Sequence, residues 1–293
     1  MCLILVAWQA HAEFPFVLAA NRDEFFARRS ASADFWIDHP QVLAGRDLEA
    51  GGTWLGMTRS GRFAALTNFR APGSHKPQAP SRGKLVAEFL TGDLSIDAYL
   101  DTLNPAAYNG FNLLLGTVAG ENRRLVAFSN VSNERHELAP GVYGLSNHLL
   151  DTPWPKVGAD GTASERAVTR LSAEANIGAA DVKPRERRPE PKVGAGKTAL
   201  AAALTALPDE NPLSRLLRDS TVHPDHSLPA TGVSLAWERL LSAAFIRGAD
   251  YGTRCSTVIK LDAQNTASFD EQTWLPGGQA DARRRFRFML TAQ

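Results

Sequence analysis

The chain of 293 residues has a formal net charge of +1 and is 44% hydrophobic, which is typical of a globular protein with a large buried core. A near-neutral charge argues against a nucleic-acid-binding protein. No apolar run is long enough to span a bilayer, and there are only two cysteines, Cys2 and Cys255. These features predict a cytoplasmic protein without stable membrane insertion. A bridge between the two cysteines is conceivable but not implied.

The first part of the chain has the alternating apolar pattern of β-hairpins. Residues 2–8 and 16–20 predict an N-terminal hairpin, and a two-residue turn at Ser60-Gly61 predicts another. Two amphipathic helices are expected next, one capped by Ser81 and one by Ser95. Three further strands are predicted at 111–118, 124–130 and 141–147.

The second part of the chain mixes helical patterns with loops. Helices are predicted around 164–175, 198–207 and 234–242, and the charged, proline-rich stretch at about 178–196 predicts an exposed loop. Strand patterns return at 251–262 and in the C-terminal "ARRRFRF", which fits an edge strand with one wet face. This order predicts a single α+β domain over residues 1–293, with one antiparallel sheet or two stacked sheets.

Two segments resemble functional motifs but lack some of the required residues. "VGAGKTAL" at 193–200 resembles a phosphate-binding loop, but Pro191 occupies the position of the first required glycine and no strand precedes it. It is interpreted as a turn leading into an alanine-rich helix. His223 and His226 are close in sequence, but no further ligand pair accompanies them. The sequence therefore predicts no metal site.

Cys2 follows the initiator Met directly. Removal of Met1 would leave Cys2 with an α-amine next to its thiol, and that amine could act as the base for a nucleophilic attack. The alternative is that Cys2 is a small apolar residue at the start of a buried strand.

Several polar residues end apolar strands and could complete a site around Cys2. Strand alternation places Asn21 and Asp23 on one face, where Asp23 could hold the α-amine if that face meets Cys2. Asn68 and Asn147 could form an oxyanion hole, although a turn or cap role is the alternative for each. Arg254 would add a positive charge.

The motifs "MCLI", "LAANRDEF", "GGTWLG", "LTNF", "YGLSN", "TPWPKV" and "YGTR", in this order, resemble the NRDE family, which includes the Transport and Golgi organisation 2 proteins. The family is in turn similar to the N-terminal-nucleophile (Ntn) hydrolases. This resemblance implies a four-layer αββα sandwich of two antiparallel sheets between helices. Similarity to the bile-salt hydrolases and penicillin V acylases implies Cys2 as nucleophile and Asp23 as the carboxylate that holds its amine. It also implies Asn68 and Asn147 at the oxyanion and the late arginine at Arg254.

One position departs from that pattern. The hydrolases carry an arginine three residues before the aspartate, where this chain has Ala20. Arg22 is adjacent to Asp23 instead and is expected to point away from the thiol unless a bulge redirects it.

Two hypotheses follow from the sequence. The first is a cysteine Ntn hydrolase that cleaves a linear, non-peptide amide without a cofactor, with Asn21, Arg22 and His148 as candidate substrate-binding residues. The second is a non-catalytic carrier of a hydrophobic anion such as haem, acyl-CoA or lipid, in which Arg22 and Arg254 hold the anionic group. Cys2 or His148 would then be the candidate ligand of a haem iron.

Overall fold

The structure, a computed structural model, describes residues 2–151 and 191–291 of the chain. Within these two ranges the chain forms thirteen β-strands and five α-helices. None of the helices described is long and apolar enough to cross a membrane. The predicted helix around 164–175, and the predicted loop up to residue 190, lie outside the described residues.

One antiparallel sheet has six strands. In spatial order they are Gly141–Leu145 (β10), Cys2–Trp8 (β1), Phe16–Phe25 (β2), Tyr251–Leu261 (β11), Thr266–Leu275 (β12) and Gln279–Met289 (β13). β1 and β2 form the predicted N-terminal hairpin. β1 lies between β2 and β10 and is buried along its whole length, because both faces of the sheet are covered. The predicted edge strand is also confirmed: β13 pairs only with β12 among the described strands, with its arginines exposed.

The second sheet has seven strands. In spatial order they are Ser30–Phe35 (β3), Val42–Asp47 (β4), Leu55–Thr58 (β5), Arg62–Asn68 (β6), Phe111–Thr117 (β7), Arg124–Ser129 (β8) and Glu134–Glu137 (β9). Each strand pairs with the next along the chain. The turn between β5 and β6 has three residues, 59–61, and not the two predicted. Gly61 closes it in the left-handed conformation, with a φ of +82°.

The two sheets stack, and helices cover their outer faces. A core cluster that includes Ile4, Leu18 and Leu114 fills the space between the sheets. Helices Gly83–Thr91 (α1) and Ile96–Thr102 (α2) pack on the seven-stranded sheet, and helices Pro191–Leu204 (α3) and Asn211–Leu217 (α4) pack on the six-stranded sheet. The predicted α+β fold, an αββα sandwich, is therefore present. A fifth helix, Leu235–Ser242 (α5), is capped by Ser234.

The two predicted helix caps have different outcomes. Ser95 caps α2, since its side chain accepts a hydrogen bond from Ala98 N. Ser81 does not cap α1, which begins at Gly83 with Arg82 as the preceding residue. The start of α1 instead docks on the loop before β5, where Thr53 N–H donates to the Gly83 carbonyl over 3.1 Å.

Helix α3 begins earlier than predicted. The loop was expected to continue to residue 196 and the helix to cover 198–207, but α3 spans Pro191–Leu204 and contains the glycine-rich segment. The reason is tertiary packing, which outweighs a poor helical sequence. A Cβ at Gly196 would lie 2.7 Å from Leu5 Cδ1, and one at Gly144 would lie 2.6 Å from Val193 Cγ1. The two glycines therefore let α3 lie directly against β1 and β10.

Candidate active site at the start of strand β1

The strand register sets Cys2 beside an arginine and a second cysteine. Cys2 lies opposite Arg22 of β2, which lies opposite Cys255 of β11. Residues opposed in antiparallel strands point to the same side of the sheet, so the three side chains form a row that faces the space between the sheets. Cys2 and Cys255 are each 7% exposed. Ser146 Oγ donates a 2.8 Å hydrogen bond to the Cys2 carbonyl and fixes the start of β1.

The segment Asn21–Glu24 distributes its side chains over both faces of β2. Arg22 and Glu24 line the cavity between the sheets, with a nitrogen of Arg22 3.9 Å from a Glu24 oxygen. Asn21 and Asp23 share a face, as expected, but it is the opposite face, which packs against the helices. The condition on which Asp23 was expected to hold the amine, that this face meets the one with the Cys2 side chain, is therefore not met. The expectation that Arg22 points away from the thiol is wrong, and no bulge in β2 is needed to bring it there.

Asn21 is wholly buried and joins β2 to the helix layer. Its Nδ2 donates to the carbonyls of Leu217 and Ala244, each over 2.8 Å, and its Oδ1 accepts from Ser256 Oγ over 2.6 Å. Asn21 is not among the described residues that line the cavity. Asn21 was predicted to bind substrate, but its side-chain hydrogen bonds join β2 to neighbouring parts of the protein.

Asp23 lies one register position beyond the Cys2–Arg22 pair. In that position its carboxylate is close enough to Cys2 to act on the thiol, where its negative charge raises the pKa of Cys2. Its Oδ1 accepts from Thr253 Oγ1 over 2.7 Å, and Lys192 Nζ of α3 lies 4.0 Å from its Oδ2. The side chains of Asp23 and Lys192 are both fully buried. Tyr251 donates its hydroxyl to the Asp23 carbonyl, so the backbone is also held.

A cavity of about 600 Å³ opens from Cys2. Cys2, Arg22, Cys255 and Glu271 lie on its wall from the six-stranded sheet, and Asn68 and Trp54 lie on the opposite side. Arg82 and Arg254 also line the cavity and have no carboxylate partner among the described residues, whereas Arg22 has only the long 3.9 Å pairing with Glu24. Arg28 also lines it but is paired with Asp47 at 2.6 Å. The cavity therefore combines a thiol with a surplus of positive charge near it.

Arg254 occupies the one irregular position in the pairing of β2 with β11, between the Thr253–Asp23 and Cys255–Arg22 pairs. Its Nη1 donates to the carbonyls of Phe25 and Arg28, each over 2.8 Å, and its guanidinium lies 5.2 Å from the ring centroid of Phe26. These contacts anchor the turn between β2 and β3. Its Nη2 donates to Ser30 Oγ over 3.4 Å, and both residues line the cavity.

The two predicted oxyanion residues are in contact but have different surroundings. Asn68 lines the cavity at the end of β6. Asn147 is 1% exposed, lies outside the cavity wall, and donates its Nδ2 to the Asn68 carbonyl over 2.7 Å. Arg70 N–H donates in turn to the Asn147 carbonyl. Asn147 thus joins the ends of β6 and β10 and positions Asn68.

His148 lies away from the cavity. Its ring packs 5.1 Å from the centroid of Phe69, and its carbonyl accepts a hydrogen bond from Asn112 Nδ2. The described residues that line the cavity do not include it. A direct role of His148 in binding a cavity ligand is not supported by this placement.

The thiols of the row are held in their neutral forms. Burial raises the pKa of the Cys2 thiol above its usual value, although the nearby Arg22 charge and a hydrogen bond from the Asp23 backbone act in the opposite direction. Burial and the neighbouring Glu271 raise the pKa of Cys255 well above its usual value. A base must therefore remove the Cys2 proton for the thiol to attack a substrate.

Glu271 is a buried carboxyl group that the sequence analysis missed. It is 2% exposed, and its Oε1 accepts from Ala33 N–H over 2.6 Å, which joins β12 of one sheet to β3 of the other. Burial raises its pKa. A signal for it existed, because Ala267, Phe269 and Glu271 alternate along β12 and so share the buried face. Arg82 and Lys192, by contrast, lie in no motif.

The two cysteines cannot form the bridge that the sequence left conceivable. β2 separates β1 from β11, so the Cα atoms of Cys2 and Cys255 are two strand spacings, about 9.6 Å, apart. A disulfide needs Cα atoms within about 7 Å. Both cysteines are free thiols.

The αββα layers, with Cys2 at the start of a central strand, are the arrangement that the sequence resemblance implied. The chain belongs to the Transport and Golgi organisation 2 family, whose sequence model matches residues 1–276. The Bos taurus Transport and Golgi organization protein 2 homolog is 36% identical over 291 residues, which cover 94% of each chain. The Homo sapiens homolog is 32% identical over 292 residues, again 94% of each.

Two solved structures resemble the chain at low sequence identity. The C2A mutant of conjugated bile acid hydrolase from Clostridium perfringens is 11% identical with a TM-score of 0.44, and the match covers 100% of this chain and 98% of that one. The Caenorhabditis elegans ortholog of N-acylethanolamine-hydrolyzing acid amidase is 10% identical with a TM-score of 0.43, covering 88% and 92%. Such values do not assign an activity to this chain.

Proposed function

We propose that the chain is a cytoplasmic cysteine hydrolase of the Ntn type, which cleaves a linear, non-peptide amide that carries an anionic group. The observation that supports this most directly is the position of Cys2. Its side chain lies on the cavity wall beside Arg22, and the next residue of β2 is Asp23, whose buried carboxylate would hold the α-amine. Nucleophile, anion-binding group and amine-holding group thus converge at the first residue of β1.

The reaction follows from this geometry once Met1 has been removed. The neutral α-amine takes the thiol proton as Sγ attacks the substrate carbonyl carbon, and the C–N bond breaks as the amine returns that proton to the leaving nitrogen. This leaves a thioester on Cys2. Water then attacks the thioester, the α-amine again accepts and returns a proton, and the products are a carboxylic acid and the regenerated thiol. Asn68, which lines the cavity, would donate its side-chain amide to the oxyanion.

The charges of the cavity favour a substrate with a carboxylate, phosphate or sulfonate. Arg22 and Arg254 flank Cys255, and Arg82 faces them from the start of α1. Guanidinium groups recognise such anions through paired N–H donors. The apolar walls, with Trp54 and Leu66 on one side and Trp274 on the other, leave room for a hydrocarbon portion.

Two measurements test the proposal. The intact mass of untagged protein shows whether Met1 is lost, and retention of Met1 would contradict the mechanism. The processed protein is then profiled against fluorogenic amides that differ only in an added carboxylate. We expect hydrolysis of the anionic members, loss of at least 100-fold in Cys2→Ala, and retained hydrolysis in Cys255→Ser. Unchanged hydrolysis in Cys2→Ala would exclude Cys2 as nucleophile.

One observation favours the alternative, a carrier that binds a hydrophobic anion without reaction. The amide of Asn147 donates to Asn68 and not into the cavity, so the second oxyanion donor is not in place. Titration with haemin and with acyl-CoA distinguishes the two functions. A carrier would bind one of them below micromolar Kd in both the wild type and Cys2→Ser and would hydrolyse no amide. Loss of binding in Arg22→Met would locate the ligand in this cavity.

A further inference from the structure

Lys192 is a wholly buried lysine next to the proposed site. It lies in the first turn of α3, its side chain has no exposed surface, and its Nζ lies 4.0 Å from Asp23 Oδ2. A buried ammonium is costly unless an opposite charge accompanies it, and Asp23 supplies that charge. Lys192 and Asp23 therefore form a buried ion pair on the helix-facing side of the sheet that contains Cys2.

The fold brings Lys192 to this position through close helix–sheet contact. Gly196 and Gly144 allow α3 to approach β1 and β10, as described above, and Leu200 and Leu204 secure the helix in the core with Leu5. The lysine therefore reaches Asp23 from the helix layer, whereas Cys2 and Arg22 lie on the cavity side. No part of Lys192 is on the wall that a substrate would touch.

The charge of Lys192 matters because the proposed base must be neutral. A lone carboxylate beside the α-amine of Cys2 would stabilise the ammonium form and raise the pKa of the amine. An ammonium on the same carboxylate has the opposite effect, since it repels a second positive charge. Thr253 Oγ1 meanwhile donates to Oδ1 of Asp23 and fixes the plane of the carboxylate.

We propose that Lys192 is a positioning residue that acts through Asp23, offsetting the carboxylate charge so that the α-amine of Cys2 remains a neutral base near pH 7. This inference rests on the proposed function. Within residues 2–151 and 191–291, the other charged or titratable groups that act on Cys2 or Asp23 include Arg22 and Glu24 of β2, Arg70, Arg82, Tyr251 and Cys255. These groups are unchanged in every variant below, so a difference between the variants reports the effect of the charges on Lys192 and Asp23.

The experiment measures the rate at which iodoacetamide alkylates Cys2 in the processed, full-length protein, as a function of pH, by mass spectrometry of the Cys2 peptide. In Lys192→Met we expect the rising part of the rate-against-pH curve to shift to higher pH by about one unit. The alkylation rate at pH 7 should then be about tenfold lower. Lys192→Arg keeps the charge and should keep the wild-type profile. Lys260→Met is the matched control, because Lys260 is also buried and ion-paired, with Glu210 at 2.7 Å.

Two further variants distinguish charge from structure. Asp23→Asn retains Lys192 and should shift the rising part of the curve to lower pH, which keeps the proposal testable if Lys192→Met does not fold. The double variant Asp23→Asn, Lys192→Met removes both charges and should return the rising part towards the wild-type position. An unshifted Lys192→Met curve, or an Asp23→Asn curve that rises at higher pH, would overturn the role of Lys192.

The outcomes also separate this inference from the proposed function. If Cys2→Ala abolishes amide hydrolysis but Lys192→Met leaves the pH profile unchanged, only the role of Lys192 is wrong. If Met1 is retained, or Cys2→Ala still hydrolyses the amides, the proposed function is wrong, and the inference is overturned with it.

Discussion

Arg22 lies directly opposite Cys2 across the β1–β2 pairing, so its guanidinium and the thiol emerge on the same side of the sheet. The adjacent Asp23 lies one residue further along and on the opposite face. Strand β2 thus places a cation and a carboxylate close enough to Cys2 to act on its thiol in opposite directions.

This arrangement predicts that Arg22 activates the thiol. Arg22→Met removes a positive charge that lowers the pKa of Cys2, so that pKa should rise and alkylation of Cys2 at pH 7 should slow about tenfold. Arg22→Lys should recover most of the rate. Arg135→Met, which removes an exposed guanidinium of β9, is the control and should leave the rate unchanged. Equal rates in Arg22→Met and the wild type would show that Arg22 does not affect the thiol.

Asn21 is predicted to contribute stability and not binding. Asn21→Ala leaves the buried carbonyls of Leu217 and Ala244 without their side-chain donor, which should lower the free energy of unfolding by about 3 kcal/mol. Urea denaturation measures this. Asn104→Ala, at an exposed asparagine without a capping bond, should change it by less than about 0.5 kcal/mol. A stable Asn21→Ala protein with weakened ligand binding would reverse this assignment.

The pKa of Glu271 predicts a pH dependence of stability. Because burial raises that pKa in the folded protein, the folded state binds the proton more tightly than the unfolded state does. The contribution to stability is complete below the ordinary value of 4.5 and is lost as the pH rises through the higher, folded value. Each unit of elevation corresponds to about 1.4 kcal/mol.

Glu271→Gln tests this dependence, since the amide oxygen can still accept from Ala33 N–H while the titration is removed. The free energy of unfolding, measured by urea denaturation from pH 5 to 8, should fall less steeply in Glu271→Gln than in the wild type. Glu121→Gln, at an exposed position, should follow the wild type. Parallel curves for all three proteins would contradict the shifted pKa.

The separation of the cysteines predicts resistance to intramolecular oxidation. After treatment of the folded protein with diamide, non-reducing peptide mapping should show no peptide linking Cys2 to Cys255, because β2 holds their strands two spacings apart. Denatured protein treated in the same way provides the positive control. A Cys2–Cys255 peptide from folded protein would mean that β1 and β11 separate from β2 in solution.

The sequence predicted the layers and placed Cys2 at the start of a strand, but it did not predict the face on which each neighbour of Cys2 lies. Strand alternation correctly grouped Asn21 with Asp23, yet only the hairpin register, which depends on the seven residues between β1 and β2, shows that Arg22 opposes Cys2. Register is a long-range property, and a shift of one residue exchanges the faces. The position of Lys192 could not be predicted for a related reason. The glycine-rich segment after it forms a helix because it packs against β1 and β10.

The hydrogen bond from Ala33 to Glu271 spans the two sheets directly beneath the row of thiols. The spacing of the two sheets therefore contributes to the depth of the cavity, in addition to the loops that line it. A core substitution far from Cys2 that lets the sheets separate by a fraction of an ångström would deepen the cavity floor while the protein remained folded. Ligand affinity in this protein should consequently report on sheet spacing, and it should weaken before any spectroscopic sign of unfolding.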